Sequence, residues 1–81
     1  MKTLEELKQD WLSFFQDKSN PMPEREPLAL RQKYTSYLTK GLSHPRAIEK
    51  IRLEEENGEH FAMILDAQFY ARKEYYKERM I

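Results

Sequence analysis

Residues 53–65 read "LEEENGEHFAMIL", and the reading of this stretch decides the fold class. Asn57-Gly58 lies between Ile51 and Leu53 on one side and Phe61, Met63 and Leu65 on the other, the usual signal of a two-residue β-hairpin. Against a hairpin, Glu54, Glu55 and Glu56 are poor strand formers, and Glu56 and Glu59 would face each other as like charges. Read as a break between two helices, Asn57-Gly58 supplies the stop, and Glu56 and Glu59 fall near the positive end of the following helix. The helical break is preferred and makes the chain all-α. An α+β chain with a hairpin at 51–65 is the runner-up. At a simple break, Gly58→Ala should be tolerated or cost about 1 kcal/mol.

Outward from this point the helical pattern continues in both directions. After Gly58, Phe61, Leu65, Phe69, Arg72, Tyr76 and Met80 form one stripe, widened by Ile64, Ala67, Ala71 and Tyr75. Up to Ala71 nearly every face of this long C-terminal helix is apolar. Beyond it, Lys and Arg gather toward the negative end of the helix dipole. Upstream, Ser43 is placed to cap a helix carrying Pro45 in its first turn and Ala47, Ile48 and Ile51 on its apolar face. Before that, Pro27 is suited to the first position of a helix with the stripe Leu30, Tyr34, Tyr37 and Leu38, stopped by Gly41.

The first helix opens on a capping-box pattern, Thr3 with Glu6, and carries Leu4, Leu7, Trp11, Phe14 and Phe15 at helical spacing. Between it and the second helix, Pro21, Pro23 and Pro27 make residues 18–27 a Pro-rich linker. The expectation is a single helical domain, residues 1–81, of four helices.

Composition narrows the function classes. Of 81 residues, 40% are hydrophobic and 35% charged, too apolar for a disordered chain and too charged for a membrane protein. Lys plus Arg and Asp plus Glu each total 14, so the formal charge is zero, and the pI is about 6.7. A nucleic-acid binder usually carries a basic excess, so nucleic acid is disfavoured. Without cysteine, disulfides and thiolate metal sites are impossible. The start "MKTLEELKQDW" lacks a signal peptide's apolar run, and "FAMIL" is far short of a bilayer span. Cytoplasmic residence, with no membrane association, is the default expectation.

No catalytic signature emerges. His44 and His60 stand in unrelated segments, and only Glu56 lies at ligand spacing from His60, too few donors for a metal site. The serines lie in no strand-turn-helix nucleophile context, and Gly41 and Gly58 cannot make a phosphate loop. Neither enzyme activity nor a cofactor is expected.

Residues 38–52, "LTKGLSHPRAIEKIR", resemble the first turn of a resolvase-like helix-turn-helix, in which a helix ends at Gly, a Leu-Ser pair follows and a second helix starts. The resemblance implies a DNA-binding regulator. The sequence departs from that pattern where the groove-reading helix should follow, because the next stretch is acidic and then apolar. "QFYARKEYYKER", residues 68–79, interleaves aromatic and charged side chains, which suits a protein docking face better than a stacking surface because Glu74 and Glu78 interrupt the cations. The leading expectation is a non-catalytic protein-interaction module, a regulator, inhibitor or subunit, binding a partner protein or a second copy of itself. Its expected contact residues are Phe69, Tyr70, Arg72, Tyr75, Tyr76 and Met80. The helix-turn-helix-like regulator using 38–52 is the alternative.

Overall fold

The structure, a computed structural model, describes residues 2–79; Met80 lies outside the described residues. Those residues form α1 (Leu4–Gln16), α2 (Leu28–Thr39), α3 (His44–Glu54) and α4 (Gly58–Arg79), with no strand among them. The chain is all-α, and the hairpin at 51–65 is overturned. It divides into two compact units, one drawn from Met1–Glu24 and Asp66–Ile81, the other from Arg25–Leu65.

In the contiguous unit the core gathers Tyr34 of α2, Ala47 and Ile51 of α3, and Ala62 and Leu65 of α4, with Tyr37 and Ile48 packed against it. Fully burying a side chain such as Ile51 contributes about 2 kcal/mol relative to leaving it in water. Leu38, part of the α2 stripe in the sequence, is instead exposed, while Leu30 and Tyr34 are buried and Tyr37 packs against the core.

The α2–α3 corner is a Schellman turn. Leu42 N–H donates to Tyr37 O and Gly41 N–H to Leu38 O, both at 3.0 Å, while Gly41 takes φ 100°. Only glycine adopts that dihedral without strain. Ser43 caps α3 through its backbone alone: its carbonyl accepts from Ala47 N–H at 2.9 Å, and its side chain makes no cap hydrogen bond. Pro27 stands one position earlier than expected, as the N-cap of α2, its carbonyl accepting from Leu30 and Arg31 N–H. Two polar links join α2 to the end of α3: Tyr37 Oη donates to Glu54 at 2.7 Å, and Lys33 Nζ to Glu55 at 3.1 Å.

The break between α3 and α4 is tighter than the sequence implied. Asn57 supplies the left-handed residue, φ 58°, and Gly58 begins α4. A Cβ on Gly58 would lie 2.4 Å from Ile51 O and 2.6 Å from Arg52 O. The expected tolerance of Gly58→Ala is therefore corrected: the glycine is there for space, against backbone that cannot swing aside.

In the other unit, α1 opens on the expected capping box, Glu6 N–H donating to Thr3 Oγ1 and Thr3 N–H to Glu6 Oε1. Leu7, Trp11 and Leu12 of α1 are buried, as are Ala67, Gln68 and Ala71 of α4. The buried side of α4 here follows Ala67 and Ala71, which widened the stripe read from the sequence, together with Gln68, while Phe69, Arg72 and Tyr76 of that stripe are not buried. Alanines admit a neighbouring element more closely than phenylalanine or tyrosine can.

The proline-rich stretch is fixed at its two ends. After α1, the Asp17 carboxylate accepts from Ser19 N–H and Oγ, and Asn20 Nδ2 donates to Ser13 O at 3.1 Å. Before α2, the Glu26 carboxylate, with 0% side-chain exposure, accepts from Arg31 Nε at 2.7 Å.

Candidate functional site

The exposed aromatic side chains of α4 lie in the unit that contains α1, and α1 supplies part of their surroundings. Trp11, one turn before Phe14 and Phe15, seats its ring edge-on to Phe14 at 5.9 Å and tilted to Phe15 at 5.7 Å. Phe15 in turn meets Tyr75 at 6.2 Å and the Arg72 guanidinium at 5.4 Å. Two of the expected contact residues, Arg72 and Tyr75, are thus engaged with α1, and Arg79 stacks over Tyr75 at 4.4 Å.

Tyr70 and Tyr76 point elsewhere. They line a groove of about 660 Å³ together with Lys73, Glu74 and Lys77 of α4 and Leu4, Glu5 and Lys8 of α1. Tyr70 is 42% exposed and Tyr76 56%. Phe69 is half-buried, edge-on to Tyr70 at 5.3 Å, with the Lys73 ammonium 5.2 Å above its ring. The structure therefore brings Tyr70 and Tyr76 to one groove, Phe69 to its edge, and Arg72 and Tyr75 to the contact with Phe15. Met80 falls outside the described residues.

The groove's charges are partly matched from within. Lys8, whose side chain is only 21% exposed, holds its ammonium 3.4 Å from both Glu5 and Glu74. Desolvation is the largest single influence on its pKa and pulls it down. Hydrogen bonds to Glu74 and Glu5 outweigh that and leave the value raised. Lys8 consequently remains an ammonium at neutral pH and cannot serve as a nucleophile or base there. Lys73 and Lys77, one turn apart on α4, have no carboxylate at ion-pair distance among the described residues.

Sequence reasoning missed the α1 half of this groove. The i,i+3 pair Glu5–Lys8 beside Leu4 was its signal. His44 opens the first turn of α3. It is buried, and its Nδ1 stands 2.7 Å from Tyr34 Oη inside the contiguous unit. Among the described residues no three of His, Cys, Asp and Glu gather to hold a metal ion, and no helix is long and apolar enough to cross a membrane.

Around the α2–α3 corner, a second depression of about 440 Å³ is lined by Leu42, Arg46, Glu49, Lys50 and Leu53. Of its two cations, Lys50 holds its ammonium 5.4 Å over the Tyr37 ring, and Glu49 on the same wall pairs with Arg52 at 3.7 Å.

No protein-family model, no curated protein and no solved structure matches this chain.

Proposed function

We propose that the chain is a non-catalytic protein-interaction module whose partner docks in the groove between α1 and the C-terminal half of α4. The observation that carries this reading is the pair Tyr70 and Tyr76, two large rings substantially exposed on a groove walled by Leu4. Rings of this kind concentrate binding energy when a partner covers them. The groove's two carboxylates flank Lys8 and hold it as a cation, an arrangement suited to recognition and not to proton transfer. A regulator, inhibitor or subunit acting in the cytoplasm fits this description.

Affinity capture with the full chain, compared with a Tyr70→Ala/Tyr76→Ala variant of unchanged helicity, tests the reading. A partner retained by the parent chain and lost by the variant supports it; equal recovery from both removes the groove from consideration. Light scattering of the chain alone distinguishes a partner protein from a second copy.

A helix-turn-helix-like DNA-binding role is the second reading, favoured by one observation, the glycine-stopped α2–α3 corner with Arg46 and Lys50 on its outer side. Glu49 beside them and the acidic run 54–56 immediately after oppose phosphate binding. Salt-resistant passage through heparin would dismiss it.

A further inference from the structure

We infer that the segment received by the α1–α4 groove is an amphipathic stretch of a partner protein carrying carboxylates beside an apolar anchor. The inference rests on the interaction reading above and adds the chemistry of the partner.

Glu5 and Glu74 share the single charge of Lys8, which sits between them at 3.4 Å from each, and with Lys73 and Lys77 the groove's lining keeps a positive excess. Lys73 and Lys77 are left as the groove's available cations, and Lys73 is held in place by the Phe69 ring beneath it. They stand four positions apart on α4, hence on one side of that helix and about one turn from each other. Carboxylates one turn apart on an incoming helix match that spacing. Between the lysines and α1, the apolar wall of Leu4, Tyr70 and Tyr76 is what an aliphatic or aromatic anchor would cover. A basic segment would meet Lys73 and Lys77 as like charges. Nucleic acid is the poorer match, because Glu5 and Glu74 lie on the same walls and Leu4 offers a base edge nothing to bond.

Fluorescence anisotropy tests this with two synthetic helical peptides, each with one leucine face, one flanked by glutamates and the other by lysines. Both are titrated with the full chain, with Tyr70→Ala and with the Lys73→Glu/Lys77→Glu variant. All three side chains lie toward solvent, and circular dichroism verifies that each variant folds. The acidic peptide should bind about tenfold or more tighter than the basic one, and the charge-reversed variant should lose or invert that preference. Tyr70→Ala should weaken the acidic peptide about tenfold. Equal binding of both peptides, with loss of both on Tyr70→Ala, would overturn the charge assignment and leave the interaction reading standing. Binding indifferent to Tyr70→Ala, or no binding of either peptide at millimolar concentration, would sink both. Displacement of the acidic peptide by a thymidine oligonucleotide would transfer the groove to nucleic acid, and a dimer of the chain alone that Tyr70→Ala dissolves would transfer it to a second copy.

Discussion

Gly58 lies so close to the end of α3 that a Cβ added to it would stand 2.4 Å from Ile51 O. Neither that carbonyl nor Arg52 O is free to move, since both belong to the helix backbone. Gly58→Ala must therefore push α3 and α4 apart, at a cost of about 3 kcal/mol by the scale of overpacked cores. Gly41 is the opposite case, with φ 100° and nothing within 4 Å of its Cβ position. Gly41→Ala should cost about 1 kcal/mol from the dihedral alone. Chemical denaturation of the two variants checks the order; equal losses would contradict it.

Trp11 is 3% exposed, in contact with Phe14 and Phe15, so Trp11→Ala should destabilise by roughly 3 kcal/mol or more. Its indole Nε1 is buried without a hydrogen-bond acceptor among the described residues, at a cost of about 1 to 3 kcal/mol. Trp11→Phe removes that donor along with ring area and should cost clearly less than alanine. A Trp11→Ala variant that melts at the parent temperature would refute the placement of this ring.

Glu26 separates its two arginines by geometry. Arg31 donates from Nε at 2.7 Å, whereas the exposed Arg25 reaches only 3.8 Å. Arg31→Ala should cost about 2 kcal/mol, the scale of a charged hydrogen bond to a buried partner, and Arg25→Ala well under 1. Thermal melts of the two variants that coincide would contradict this ranking.

The Tyr37–Glu54 hydrogen bond lowers the Glu54 pKa, and the same bond, from its other side, raises that of Tyr37. Glu54's contribution to stability is present in full above the ordinary carboxylate range. It is lost as pH falls through the depressed folded value. Tyr37's contribution is present below the ordinary phenol value and lost as pH rises through the raised one. Tyr37→Phe should return the Glu54 midpoint toward its usual position in a carboxyl-carbon NMR titration. An unmoved midpoint would show that another group depresses it.

The helices were legible from local chemistry: Thr3 with Glu6 marks the start of α1, Gly41 the end of α2, and Asn57-Gly58 the break before α4. Those signals act within one turn of chain, so a sequence displays them directly. The burial of Glu26, His44 and Gln68 was not legible, because a polar residue is covered only where the packed helices meet around it, as Tyr34 of α2 meets His44. The steric demand at Gly58 was hidden for the same reason: its Cβ would meet carbonyls of α3 that the turn folds back beside it. For the candidate groove, the aromatic run of α4 was visible, but Leu4, Glu5 and Lys8 were read only as part of their own helix.

The division of the chain also sets an order of events during synthesis. Residues 25–65 form one compact unit from a continuous stretch, so its contacts close over short loops. The other unit joins the beginning of the chain to residues beyond 65, so Leu7, Trp11 and Leu12 emerge long before Ala67 and Ala71. On the ribosome, α1 is a nascent amphipathic helix with its apolar face uncovered until the last turns of α4 leave the tunnel. A chain cut short after 65 would keep that face open, and its fate would be aggregation or capture by a chaperone.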